Sequence, residues 1–191
     1  MTRIVLTATA VATALTLAGC GSKTNNEQAP AGTIAENTAA IETPALEPAL
    51  APGQTFANTA AASDAFEIAT SNLALEKSQS RAVKRFAEDM VKAHTESTTK
   101  LQAAAASASP ALTPNPMLSP AQQDKLTALR DKSGADFDQA YIAEQIDAHQ
   151  MALDGLQTYA AGPDVEPLGA FAKEMVPIVT AHLNLAKSLK P

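Results

Sequence analysis

Cysteine and aromatic residues are scarce in this chain of 191 residues, which has one Cys, no Trp, five Phe and two Tyr. A single cysteine cannot form a disulfide within the chain, so a packed core must stabilise the fold. Acidic residues outnumber basic ones, giving a formal net charge of −6 at pH 7. This balance, with no Lys/Arg cluster and few aromatic side chains, argues against nucleic acid and against anionic lipid surfaces as ligands.

Motifs of catalytic chemistry are also missing. The eight glycines form neither a G-x-G-x-x-G sequence nor a phosphate-binding loop. Neither H-E-x-x-H nor G-x-S-x-G occurs. We therefore predict that the protein is not an enzyme.

The single cysteine closes a leader sequence. Met1 to Arg3 carries one positive charge, residues 4–17 are apolar, and the run Leu17-Ala18-Gly19-Cys20 follows. This leader resembles the lipobox of a bacterial lipoprotein signal peptide, and it is too short for a transmembrane helix. The resemblance implies removal of residues 1–19 and attachment of lipid to Cys20. An ordinary secretory signal that leaves Cys20 as a free thiol is the alternative.

Lipidation at Cys20 predicts both the location and the chemistry of the protein. Two or three acyl chains make a stable membrane anchor, at about 0.8 kcal/mol per buried methylene. We expect a periplasm-facing lipoprotein of the bacterial cell envelope, in the outer membrane because Gly21 is not the acidic residue typical of inner-membrane retention. With Cys20 acylated, a thiolate metal site and a cysteine nucleophile are excluded.

A Pro- and Ala-rich segment follows the leader and contains almost no aromatic side chain. Such a composition cannot bury enough apolar surface to fold alone. We predict that it is a disordered tether that holds the folded domain away from the membrane. The predicted divisions are a signal peptide over residues 1–19, lipidated Cys20 plus tether over 20–55, and a four-helix bundle domain over 56–191.

From Phe56 onward, apolar residues recur every three or four positions among Ala, Leu, Glu, Lys and Gln, which predicts an all-α fold. Four prolines between residues 110 and 120 mark a long connection, in which Ser119-Pro120 begins a short helix. The pattern predicts a ferritin-like four-helix bundle with a long crossover carrying a short extra helix. An up-and-down bundle with an elaborated loop is the alternative. The four long helices are predicted over Phe56–Lys77, Gln79–Ser107, Ala135–Ala160 and Glu166–Leu189.

The three histidines fall on three different predicted helices, each on the apolar face. At about 1.5 Å per residue, His94, His149 and His182 all lie in the middle third of the bundle, so they could converge. Glu67 and Asp138 could complete a site for zinc, iron, copper or nickel. The absence of any Glu-x-x-His pair counts against a di-iron centre.

A packed, non-ligating role for the histidines is the alternative interpretation. Their ring nitrogens could bond to backbone carbonyls or to nearby hydroxyl groups instead of a metal. Glu67 could similarly pair with Arg81 or Lys77 at the end of the first hairpin.

Several short motifs of the sequence resemble those of the bacterial envelope family named domain of unknown function 4142, a ferritin-like helical group. Coverage runs from about residue 56 to the C-terminus. The resemblance implies a ferritin-like bundle, and it carries over Glu67, Asp138 and the three histidines, with Tyr141 in a supporting position. Where family members usually have Asp-His, this chain has Ala93-His94. The matching phrases are Phe66-Glu67-Ile68, Val83-Lys84-Arg85-Phe86-Ala87, Met90-Val91 before His94-Thr95, Ser133-Gly134, Phe137-Asp138 with Tyr141 before His149, and Pro177 with His182-Leu183.

Two functions are consistent with these features. In the first, the bundle binds a transition metal through the histidines and acts in metal handling or envelope stress defence. In the second, it is a structural or adaptor bundle that binds another envelope protein and packs the histidines in its core. An exposed apolar patch would favour the second function, and the Ala103 to Ala106 run is the nearest candidate.

Overall fold

The structure, a computed structural model, describes residues 50–190. The predicted signal peptide, the lipidation site Cys20 and the tether up to residue 49 lie outside the described residues. The described residues belong to one compact unit, Leu46–Pro191. Both hydrophobic clusters of the fold lie within this unit, so it contains the core needed to fold on its own. None of the described helices combines the length and the apolar composition needed to cross a membrane.

Within residues 50–190 the chain forms five α-helices and no strand, so the predicted all-α class is confirmed. The four long helices are close to the predicted ones, because their apolar periodicity extends along their whole length. The short helix lies in the long connection, as predicted. The helices are α1 (Pro52–Lys77), α2 (Arg81–Ala106), α3 (Pro120–Arg130), α4 (Gly134–Ala161) and α5 (Glu166–Ser188).

The long helices form two antiparallel hairpins, α1 with α2 and α4 with α5. In the bundle, α1 also packs on α4, and α2 packs on α5. One hydrophobic cluster joins the start of α1 to the end of α2, and the other joins the end of α1 to the start of α4. The connection 107–133 therefore runs the length of the bundle, and α3 packs on α1 and α4. An up-and-down bundle, which would place α2 beside α4, does not describe this layout.

A serine cap fixes the start of α3. The Ser119 hydroxyl accepts a hydrogen bond from the Gln122 backbone N–H at 3.2 Å, and the Gln122 side chain accepts one from the Ser119 N–H at 2.9 Å. This reciprocal pair satisfies two backbone donors that have no partner within the helix. The capped start of α3 was predicted from its sequence. The helix α3 ends at Arg130, and Gly134, with φ of 57°, begins α4.

The first turn of α1 begins at Pro52, about one helical turn before the predicted Phe56. Proline suits the first helical position because its missing N–H has no intrahelical partner there. The turn is held by distant residues: the Gly53 N–H donates to Asp164 at 3.0 Å, and the Phe56 ring stacks on Tyr159 with centroids 3.9 Å apart. A Cβ on Gly53 would lie 2.6 Å from Val165, so glycine permits this close approach.

Candidate metal centre

The three histidine rings meet in the middle of the bundle. Their centroids are 5.5 Å apart for His94 and His149, 5.6 Å for His149 and His182, and 6.0 Å for His94 and His182. One nitrogen from each ring lies within 4.8 Å of the other two. The convergence that the sequence allowed is therefore present in the structure.

The spacing of these nitrogens is close to that of a metal site. Three atoms within 4.8 Å of one another can all lie within about 2.8 Å of a common point, whereas Zn–N bonds are about 2.0–2.1 Å. An inward shift of less than about 1 Å per ring would bring all three into bonding distance.

His94 is held by a carboxylate on the neighbouring helix. Its Nδ1–H donates to Asp64 Oδ1 at 2.8 Å, and the Thr98 hydroxyl donates to Asp64 Oδ2 at 3.1 Å. This bond favours the tautomer with a free lone pair on Nε2, which is the arrangement typical of metal-binding histidines. His94 Nε2 is buried and has no hydrogen-bond partner among the described residues.

His149 is oriented by its own helix. Its Nδ1–H donates to the Gln145 carbonyl at 2.8 Å, one turn earlier in α4. Its Nε2 is buried and has no hydrogen-bond partner in residues 50–190, and the same is true of Nδ1 in His182. Each of the three rings thus presents one buried nitrogen that the described protein leaves without a partner. The packed-histidine interpretation explains the Gln145 contact, but it leaves these three nitrogens unexplained.

The surroundings give the three histidines different proton affinities. Burial, together with the positive charge of His94, lowers the pKa of His149 to about 3 and that of His182 to about 4. Burial also opposes a charge on His94, but the hydrogen bond to Asp64 and the negative charge of Glu67 raise its pKa above the ordinary value. At pH 7 the rings of His149 and His182 are therefore neutral, the form that binds a metal, and protons compete with a metal most strongly at His94.

Glu67 lies against the histidines rather than at the hairpin end. Its side chain is 1% exposed, and its Oε1 is 3.4 Å from His149 Nδ1. Burial, reinforced by the negative charge of Asp64 and opposed by the positive charge of His94, raises its pKa to about 7. The alternative pairing with Arg81 or Lys77 is not seen among the described salt bridges. Glu67 lies beside Nδ1 of His149, close enough to the histidines to balance the charge of a bound cation.

Asp138 and Tyr141, which the resemblance carried over, lie nearer the start of α4 than His149. Asp138 is three turns before His149, about 16 Å along the helix axis, so the structure does not bring it to the histidines. The Tyr141 hydroxyl is 2.9 Å from the Ser71 hydroxyl, and both are buried between α1 and α4. Burial raises the Tyr141 pKa above its ordinary value. Tyr141 therefore tightens the α1–α4 contact below the site instead of orienting a histidine.

Two residues of the site were not predicted from the sequence. Asp64 supplies the carboxylate to His94, and Gln145 supplies the carbonyl to His149. A usable signal for Asp64 was present: it precedes Glu67 by three positions, on the face of α1 that also buries Ala57 and Ala61. Two carboxylates on one buried helical face require partners inside the bundle.

A protein-family model described as "Domain of unknown function (DUF4142)" matches residues 35–189. This match confirms the resemblance read from the sequence phrases. No curated protein and no solved structure matches the chain. The more detailed ferritin-like assignment stays a prediction.

Proposed function

The chain belongs to the family of domain of unknown function DUF4142, and for this member we propose a metal-binding function. His94, His149 and His182 bind one transition metal ion between the two hairpins. Two observations carry this proposal: one nitrogen of each ring lies within 4.8 Å of the other two, and each ring has one buried nitrogen without a partner in residues 50–190. The opposite nitrogens of His94 and His149 are held in place by Asp64 and by the Gln145 carbonyl.

The three imidazole ligands limit which metal ions the site can bind. Three imidazoles suit zinc, iron, copper or nickel, and they leave at least one coordination position for water or another ligand. The charge of a divalent ion is balanced nearby by Asp64 and Glu67, both buried. Together with the predicted lipid anchor on Cys20, this site supports a role in the cell envelope, in metal handling or in envelope stress defence.

Metal retention by the 46–191 fragment tests this function. After chelation and dialysis, the fragment is mixed with zinc, iron, copper or nickel in turn, and bound metal and unfolding temperature are measured. A ligand at 100 times its Kd stabilises the fold by about 2.7 kcal/mol, which corresponds to a rise on the order of 8 °C for a domain of this size. Failure of all four metals to bind or to shift the unfolding temperature would exclude the proposed function.

Asp64→Asn is expected to weaken metal binding about 10- to 100-fold, as is typical when the partner of a ligating histidine is changed. The amide cannot supply the negative charge that raises the His94 pKa, so that pKa should also fall. Competitive titration with a chromophoric chelator at pH 8 measures the affinity, and histidine NMR signals measure the pKa. Asp154→Asn, an exposed aspartate change on α4, is the matched control and should leave both quantities unchanged.

A further inference from the structure

A cavity of about 490 Å³ lies beside the histidine cluster. Its walls come from α1, α4 and α5 and from the crossover, and its inner end reaches His94 and Ser97 on α2. This volume is within the range of about 300–1,000 Å³ that small-molecule sites occupy. The metal centre uses only the inner end, so the rest of the cavity has no role in the proposed metal binding.

The walls of the cavity are mainly apolar. Phe66 lines it from α1, Leu156 from α4, and Phe171 and Met175 from α5. The buried polar residues of the lining are Asp64, His94 and Ser97, whereas its other polar residues, among them Asn115 and Ser119, are partly or fully exposed. An apolar body with a few converging polar groups is typical of a ligand site.

The charged residues that line the cavity are already paired. Asp64 bonds to His94 at 2.8 Å, and Lys125 Nζ is 2.5 Å from Glu144. A ligand with a full charge would be buried without a free counter-charge, which is costly. The cavity therefore favours an uncharged molecule whose polar group makes hydrogen bonds.

A glycine lies where a side chain would narrow the cavity. Gly155 lines it from the interior of α4, where glycine costs about 1 kcal/mol relative to alanine. A Cβ built on Gly155 would meet no atom within 4 Å, so close packing does not explain the residue. The absence of a side chain at this position keeps the cavity wide.

Polar contacts to α1 help to hold the crossover wall of the cavity. Gln54 donates to the Thr113 carbonyl at 2.8 Å, and the Asn115 N–H donates to the Asn58 side chain at 3.0 Å. At the rim, Met117 and Met151 are largely exposed. Methionine side chains are flexible and adapt to apolar ligands of different shape.

From these features we propose that the cavity binds a small, uncharged, mainly apolar molecule, with its polar group directed toward Asp64, His94 and Ser97. This second binding function does not require the metal. The lining residues all belong to the described part of the chain, and His94 is the one histidine among them.

Fluorescence titration of the metal-free 46–191 fragment with N-phenyl-1-naphthylamine, an uncharged apolar probe, tests the proposal. We expect saturable binding of N-phenyl-1-naphthylamine. A related probe with a negative charge, 1-anilinonaphthalene-8-sulfonate, should bind with at least tenfold lower affinity. Chelator is present throughout, so the result is independent of whether the histidines bind metal. Absence of saturable binding, or equal affinity for the charged probe, would overturn the proposal.

Variants locate the bound probe. Gly155→Phe and Ala152→Phe place a ring at the cavity wall and are expected to weaken binding at least tenfold. Gln157→Phe, an exposed position of α4 outside the cavity, is the matched control and should bind normally. In methyl NMR spectra the probe should shift Met175 but not Met90, which lies in the other hydrophobic cluster. Normal binding by both cavity variants, or a shift confined to Met90, contradicts the assignment.

Discussion

Replacing His149 with alanine is expected to abolish the zinc-induced rise in the unfolding temperature of the 46–191 fragment. His149 is 1% exposed, its ring centroid lies 5.5 Å from that of His94 and 5.6 Å from that of His182, and its orientation is fixed by the Gln145 carbonyl. Changing a residue that hydrogen-bonds to a metal-binding side chain typically lowers the metal affinity by about 10- to 100-fold. Removing the ligand itself should cost more than about 100-fold. The chain has three histidines, so no other imidazole can replace it.

Leu153→Ala is the control for this experiment. Leu153 is buried in α4 one turn beyond His149, and its truncation is expected to destabilise the fold by about 2–5 kcal/mol. Its unfolding temperature without metal should therefore fall, yet zinc should still raise it by the wild-type amount. A full zinc shift in His149→Ala would show that the metal binds elsewhere.

Replacing Glu67 with leucine is expected to stabilise the metal-free fragment, most strongly at alkaline pH. Both carboxylate oxygens of Glu67 are buried and have no hydrogen-bond partner in residues 50–190. Burial raises the pKa from 4.5 to about 7, so the native state holds a proton that the unfolded chain releases. Stability from this group is present below about pH 4.5 and is lost as the pH rises through 7. The free energy of unfolding that Glu67 contributes therefore falls by about 3 kcal/mol between acidic and alkaline pH, at about 1.36 kcal/mol per pKa unit.

Urea unfolding in the presence of chelator, at pH 5 and at pH 8, measures this effect. The stability gain of Glu67→Leu should be larger at pH 8 by about 2–3 kcal/mol. Glu88→Leu, at an exposed position of α2, is the matched control and should show no such pH dependence. If Glu67→Leu raised the free energy of unfolding equally at both pH values, or lowered it at pH 8, the buried carboxylate would not be destabilising.

The helices and the meeting of the histidines could be predicted because they depend on local regularities. Apolar periodicity places each histidine on an inward face, and the rise per residue places His94, His149 and His182 at similar heights. The Ser119-Pro120 start of α3 follows from capping chemistry within four residues. Each of these inferences needs only neighbouring positions in the sequence.

The contacts that complete the site depend on how whole helices are rotated against one another. Asp64 reaches His94 across the α1–α2 contact, and Glu67 turns toward His149 on α4 and not toward the hairpin end. Similarly, Asp164 holds Gly53 from more than 100 positions away in the sequence. Such rotations are set by packing over the entire bundle, so a local pattern does not specify them.

The crossover separates the metal ligands between two halves of the chain. His94 belongs to the α1–α2 hairpin, and His149 and His182 belong to the α4–α5 hairpin. Neither hairpin alone supplies three imidazoles, so a bound ion would link the two hairpins. The complete set of ligands forms only in the assembled bundle. Metal binding would then depend on correct packing of the α1–α2 hairpin against the α4–α5 hairpin. Release of the ion would be coupled to partial separation of the two hairpins.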